Sequence, residues 1–345
     1  MKKSSVLFAI VVLALFAGCR SKSRTLPSAT GSIYECVVVS PAKGCQTVID
    51  TMQADMPCLP QMEPYFSVSQ VRNADFDDFL KSARNILLID LDEQRYVEPR
   101  VHFYRDRYSK PQAYCRLQAP DTLSLQAWWN ANGARVRNWF VREELGRQGK
   151  FLRGSTNKDA RKALQKHMGC DILVPEDYQL VKDSADLLLC CNNKGPQLRY
   201  LVVYSYPYTN SETFTLDYLC QKRDSLMKRL ISASVPGSYM GTEYNVFPPR
   251  LQTISSLKTD ASAGFYGTEM RGLWRVYNGE AMGGPFVSHS RLDMVNGRVV
   301  TAEVFIYAAG QKKRNAFRQA EAILYTLQLP EELHMNKNNS NTDKP

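Results

Sequence analysis

The stretch Met282-Gly283-Gly284-Pro285-Phe286-Val287-Ser288-His289-Ser290-Arg291 gathers residue types that build hydrolytic and ligand-binding sites. Two hydroxyls, an imidazole and a guanidinium stand beside a Gly-Gly pair. A serine–histidine nucleophile needs the hydroxyl within hydrogen-bond reach of the ring. Strand geometry argues against that here, because neighbouring residues point to opposite faces. If Asn296-Gly297 makes a two-residue turn, His289 lies opposite Val304 and Arg291 opposite Ala302 on one face. Ser288 then faces Phe305 and Ser290 faces Glu303 on the other, so neither serine meets His289 within the ribbon. His102 or His167 would have to complete such a site from elsewhere. The chain also lacks the G-x-S-x-G elbow, the H-E-x-x-H motif and a phosphate-cradling glycine loop. The expectation is a sheet face whose polar groups satisfy one another, with His289, Arg291, Ser288, Glu303 and Trp274 as the candidate ligand-binding set. Glu269 is a further carboxylate within range. No catalytic residue, metal ligand or cofactor is assigned.

A second candidate is the basic, aromatic run from Arg95 to Arg116. Arg100, Arg105, Arg107, Lys110 and Arg116 alternate with Tyr96, Phe103, Tyr104, Tyr108 and Tyr114. Such a surface can stack on sugars or grip anions. Alternation in a half-exposed sheet produces the same list, and that is the reading preferred here. Eight cysteines follow Cys19, at 36, 45, 58, 115, 170, 190, 191 and 220. They permit 105 complete pairings, so no connectivity follows. Several sit in apolar runs, where a free thiol is an ordinary core residue, and no C-x-x-C or zinc-finger spacing occurs.

These groups must be positioned by regular elements. Tyr34 to Val39 and Ile86 to Ile89 read as strands, Gly44 to Met52 and Asp75 to Arg84 as helices, with Pro57, Pro60 and Pro64 breaking the chain between them. Val101–Arg105 and Ala113–Leu117 pair around Ser109-Lys110-Pro111. A long helix runs from Ser124 to about Gln148, with Trp129, Val136 and Phe140 on one apolar face and Trp128 and Trp139 flanking it. A tryptophan stripe at that spacing is read as core. Asn157–His167 is a basic helix stopped by Gly169. Gln197–Tyr206 is a central strand, and Thr215–Ile231 is an amphipathic helix. From Phe265 to Tyr307, Asn278-Gly279 and Asn296-Gly297 mark the turns of a three-stranded meander. A helix over Gln311–Leu327 follows it. The predicted class is α+β, with antiparallel sheets covered by amphipathic helices. Its halves run over residues 33–170 and 171–330, and a polar tail over 331–345 is expected to be disordered.

The beginning of the chain points to a compartment. Lys2 and Lys3 precede twelve apolar residues, Val6 to Ala17. As a helix these reach about 18 Å, short of a bilayer core of about 30 Å, which fits a secretion signal over residues 1–18. Leu15-Phe16-Ala17-Gly18-Cys19 resembles the bacterial lipobox, although Phe16 departs from its aliphatic preference. That resemblance implies acylation of Cys19, and several acyl chains hold a protein firmly where one does not. The tether over residues 19–32 opens on Arg20-Ser21-Lys22-Ser23-Arg24, with no aspartate after the cysteine. A periplasm-facing position on the outer membrane is therefore expected. Residues 20–170 hold 23 Lys/Arg against 16 Asp/Glu, and residues 171–345 hold 19 against 18. The basic first half suggests an anionic partner, and export excludes nucleic acid.

Leu26-Pro27-Ser28 leading into Tyr34-Glu35-Cys36-Val37-Val38-Val39, the motif Arg271-Gly272-Leu273-Trp274, the run Gly283 to His289 and the basic helix after Tyr307 together resemble an uncharacterised Bacteroidetes lipoprotein family with a domain of unknown function. The resemblance covers nearly all of the chain after Cys19 and implies location without mechanism. The expected function is a non-catalytic envelope module that binds a protein, a glycan or an anionic lipid while anchored through Cys19. The alternative is an envelope hydrolase working through His289 and Arg291 with Glu269 or Glu303.

Overall fold

The computed structural model describes residues 25–41, 45–231, 235–254 and 266–335. Cys19, the signal and the first part of the tether lie outside the described residues. The described residues form two sheets. The first has the order β2-β1-β3-β5-β4, from β1 (Glu35–Ser40), β2 (Ser67–Arg72), β3 (Asn85–Leu91), β4 (Arg100–Arg105) and β5 (Ala113–Ala119). The second has eight strands: β6 (Gln179–Ser184), β7 (Leu187–Asn192), β8 (Leu198–Pro207), β9 (Tyr239–Glu243), β10 (Arg250–Thr253), β11 (Gly267–Tyr277), β12 (Gly283–Asp293) and β13 (Arg298–Tyr307). Its order is β10-β11-β12-β13-β8-β7-β6, and β9 shares the edge of β11 with β10.

The α+β class and the C-terminal meander β11-β12-β13 are as expected, and β8 is central. The first sheet is built differently. β1 pairs in parallel with both β2 and β3, and β3 pairs in parallel with β5, so β4–β5 is its antiparallel pair. Parallel neighbours need crossover connections, and helix α1 (Gln46–Met52) supplies the first. The expected helix over Asp75–Arg84 shrinks to a 3₁₀ turn at Asn73–Asp75 and the single turn α2 (Asp78–Lys81). Asp77 caps that turn by accepting from the Leu80 amide at 2.9 Å, which starts the helix three residues late, at Asp78.

The long helix α3 (Thr122–Leu152) starts at the Asp121 cap. Its Trp129, Val136 and Phe140 are fully buried against the first sheet and α1. Each such side chain contributes roughly 1.5–3 kcal/mol of burial. The indole of Trp129 also donates to Thr51 Oγ1 at 2.8 Å. The tryptophan stripe is thus core. Helix α4 (Lys158–Met168) is capped by Asn157 and ended by Gly169, whose φ of 63° favours glycine. Assigned above to the first half, α4 in fact buries Ala160, Leu164 and Met168 in the core of the second sheet. Helix α5 (Leu216–Leu230), capped by Thr215, covers the opposite face of that sheet.

Helix α6 (Arg314–Leu324) joins the halves. Phe317, Ala320, Ile323 and Leu324 pack on the second sheet, while Ala322 enters the core of the first. The first half returns the contact, since Met56 and Leu59 lie in the second core. The buried carboxylate of Glu63 accepts from the backbone amides of Lys313 and Arg314, at 2.6 and 3.1 Å, and so caps α6 from 250 residues away. The tail is also tied down. Residues 330–335 are helical instead of disordered, because Glu332 is held by Arg291 at 2.8 Å and by the Leu329 amide at 2.9 Å. Residues 336–345 lie outside the described residues.

Candidate functional site

The β12–β13 hairpin carries most of the sequence-derived candidates, and its turn is longer than a two-residue Asn-Gly connection. Asp293 pairs with Arg298, leaving a four-residue loop in which Gly297 takes φ 61°. The Asp293 carboxylate organises this loop by accepting from Asn296 Nδ2 at 2.8 Å and Arg298 Nε at 2.9 Å. The register therefore slides by two residues. His289 faces Ala302, Arg291 faces Val300, Ser288 faces Glu303 and Ser290 faces Thr301. A slip of two keeps every side chain on its face, so the separation of serines from histidine stands although each partner changes.

The face with Ser288, Ser290 and Glu303 lies under α5 and is buried. Glu303 is fully buried and forms an ion pair with the equally buried Arg223, whose Nε donates at 2.9 Å. The guanidinium also stacks 3.8 Å from the centre of the Phe286 ring. Burial raises the Glu303 carboxyl to about 7 despite this partner. Ser290 bonds to Thr301 at 2.8 Å, and the Ser288 hydroxyl has no partner among the described residues. Trp274 pairs across the strands with Gly284 and donates to the Ile306 carbonyl at 3.1 Å. A Cβ on Gly284 would lie 2.1 Å from that same carbonyl oxygen. The Gly-Gly pair is therefore a strand segment that admits the indole and the neighbouring backbone, and Trp274 is a core residue.

The other face carries His289 and Arg291, and here the structure opens. Glu269 on β11 sits opposite His289 and is 1 % exposed. Its Oε2 is 3.0 Å from His289 Nε2 and accepts from the Tyr325 hydroxyl at 3.1 Å. Its Oε1 accepts from Gln252 at 2.7 Å and from Arg271 at 2.5 Å. Burial alone would raise this carboxyl, but Arg271 and His289 outweigh burial and hold it well below the usual range. Arg271 continues to Glu321 of α6, which also accepts from Arg318 at 2.8 Å. Arg318 in turn lies over Tyr34 and Tyr65 of the first half. The chain of charges thus runs from β12 through α6 into the N-terminal half.

Beside this network a cleft of about 550 Å³ lies where the halves meet. His289, Arg291 and Tyr325 form one wall, and the last turns of α3, with Gly146, Gly149 and Lys150, form another together with Arg153 just past the helix. Arg161 of α4 and Asp171 complete the rim, paired at 2.5 Å. Arg291 donates to the Leu327 carbonyl at 2.9 Å and to Glu332. Two of the five candidates therefore meet at a cavity, while Ser288, Glu303 and Trp274 lie on the reverse face. Lys150, Arg153, Arg161 and Tyr325 had no local signal, since none of them stands in a motif that marks a site.

The basic, aromatic run is occupied with contacts inside the protein, and β4 is exposed at five of its six residues instead of alternating. Arg105 forms a two-pronged pair with Glu143, Arg116 pairs with Asp90 at 2.5 Å, and Arg107 stacks on Tyr104, Tyr108 and Tyr114. All eight cysteines after Cys19 are buried and free. Among the described residues no group of three or more His, Cys, Asp or Glu is placed to hold a metal ion. No helix there is long and apolar enough to cross a membrane.

Two family models match the chain. Residues 29–153 match Domain of unknown function (DUF8532), and residues 157–326 match Domain of unknown function (DUF4837). Their junction falls between α3 and α4, where the packing divides the halves. No curated protein matches. Among solved structures, the chain is similar to the Saccharomyces cerevisiae Ran-binding protein Mog1p at 7% identity and TM-score 0.29, covering 47% of this chain and 90% of that one. A Bacteroides thetaiotaomicron protein is 10% identical with TM-score 0.24, covering 46% and 44%. The human StarD13 lipid transfer and protein localization domain is 12% identical with TM-score 0.20, covering 48% and 93%.

Proposed function

We propose that this chain is an exported envelope module, lipid-anchored at Cys19 on the periplasmic side of the outer membrane, that binds a ligand without converting it. The observation that carries the non-catalytic reading is the partition of polar groups across the second sheet. His289 spends Nε2 on Glu269, and among the described residues no Ser, Thr or Cys side chain bonds to it. The serines that neighbour it in sequence lie on the reverse face. What remains open on the His289 face is a cleft, which is the form a binding site takes. The anchor rests on the lipobox-like segment ending at Cys19.

Two measurements test this. Wild-type protein expressed in a Bacteroidetes host should incorporate tritiated palmitate and sediment with outer membranes, and Cys19→Ala should do neither. Unlabelled wild-type protein in the soluble fraction would reject the anchor. The second concerns catalysis, because the His289–Glu269 pair at the cleft wall also suits a hydrolase that activates water. That reading requires turnover of an ester or phosphoester panel by the purified chain. The activity should vanish in His289→Ala with the unfolding midpoint preserved, whereas absence of turnover across the panel supports binding alone.

A further inference from the structure

We infer that the cleft between the two halves is a binding site for a small organic anion with an apolar body, held by Lys150 and Arg153 at the rim. This deepens the binding reading above and rests on it. The charge balance of the lining comes first. Its two carboxylates are already engaged, Asp171 by Arg161 and Glu332 by Arg291. Lys150, in the last turn of α3, and Arg153, just past its end, are exposed cations, and neither has an ion-pair partner among the described residues. The cleft thus keeps an excess of about two positive charges. One effect opposes an anion, the negative end of the α3 dipole. It amounts to about half a charge, and the Lys150 and Phe151 carbonyls that would express it accept from the Arg153 and Gly154 amides. Two whole cations outweigh it.

The shape of the site is the second observation. Glycine in a helix interior destabilises it relative to alanine, yet α3 carries Gly146 and Gly149 one turn apart on the cleft wall. A Cβ at Gly146 would meet nothing within 4 Å, and at Gly149 only the Thr326 methyl at 3.7 Å. Packing against the protein therefore does not demand these glycines. They leave a bare strip of helix backbone along which a ligand can lie. Below that strip the lining turns apolar, with Leu145, Leu173, Ile254, Leu324 and Leu327. The volume lies within the range of small-molecule pockets. Charge at the rim and hydrocarbon beneath it specify an anionic head on an apolar body.

The test uses the full chain after the signal, made soluble by Cys19→Ala, and three probes that share an eight-carbon tail. Octanoate carries a negative head, octylammonium a positive one and octyl glucoside a neutral one. Calorimetric titration at low salt should find one octanoate site that weakens as salt rises. The double variant Lys150→Glu/Arg153→Glu, altered only at exposed positions, should bind octanoate at least tenfold more weakly. Gly146→Leu should abolish binding by filling the strip, with an unfolding midpoint equal to or above that of the parent. If octylammonium or octyl glucoside binds in a Gly146→Leu-sensitive manner and octanoate does not, the anion assignment is overturned while the binding reading survives. If no probe binds in that manner, the site itself is overturned.

Discussion

Glu269→Gln tests whether the buried network behind the cleft is the clamp that positions its wall. Glutamine keeps the volume and one carbonyl oxygen, so the Oε1 contacts with Gln252 and Arg271 keep an acceptor. On the Oε2 side an NH₂ group now meets the Tyr325 hydroxyl and the His289 ring, both of which bonded to an oxygen at 3.1 and 3.0 Å. Tyr325 loses its acceptor, His289 can keep this contact only with Nε2 as the acceptor, and Arg271 keeps Glu321 as its one carboxylate. Two charge-assisted bonds at about 1.5–3 kcal/mol each, or equivalently a broken buried ion pair, set the loss at about 3–5 kcal/mol. For a chain of this length that corresponds to roughly 5–8 °C in unfolding midpoint. The pH dependence supplies an independent signature. Glu269 titrates well below its ordinary 4.5 when folded, so the unfolded chain binds more protons as pH falls below that value. Its contribution is therefore complete at neutral pH and drains away on acidification. The variant should be less stable than wild type at pH 7, and the gap should narrow toward pH 3. Equilibrium urea unfolding followed by tryptophan fluorescence at both pH values measures it. A loss below about 1 kcal/mol, or a gap that stays constant with pH, would refute the argument.

Other consequences are more local. Glu63→Ala should cost about 2–4 kcal/mol, because it orphans two buried amides at the start of α6; an unchanged urea midpoint would show that α6 needs no cap from the first half. Ser288→Ala should be neutral or slightly stabilising and should leave octanoate affinity unchanged, since its hydroxyl is buried without a partner on the face away from the cleft. A drop in affinity would place the site on the wrong side of the sheet. The eight cysteines should resist an aromatic disulfide reagent at pH 8 in the native protein and react together on denaturation. Burial pushes Cys170 and Cys190 up to about 12 and Cys220 to about 11, leaving little thiolate to react. Rapid native labelling of two or more would contradict that burial.

What the sequence determined by itself is local. Asn157, Thr215 and Gly169 bound their helices because a capping oxygen or a left-handed glycine acts within one turn. The stripe Trp129–Val136–Phe140 follows from apolar periodicity, which one element's own geometry imposes, and the meander β11-β12-β13 from the Asn-Gly pairs between its strands. The split of His289 from Ser288 and Ser290 was legible for the same reason, and it survived a two-residue error in register because side chains alternate with period two. The tertiary structure decided everything that joins distant segments. Parallel pairing of β1 with β2 and β3 leaves no turn signal, since the partners meet only through crossovers. Arg223 and Arg271 carry no local sign of burial, and become paired interior residues because Glu303 of β13 and Glu321 of α6 reach them from other elements. The cap of α6 comes from Glu63, far outside any local window. The cleft itself exists because the glycine-bearing end of α3 is laid beside the end of α6 and the rim of β12. That packing of two halves sets a cavity between residues no spacing rule connects.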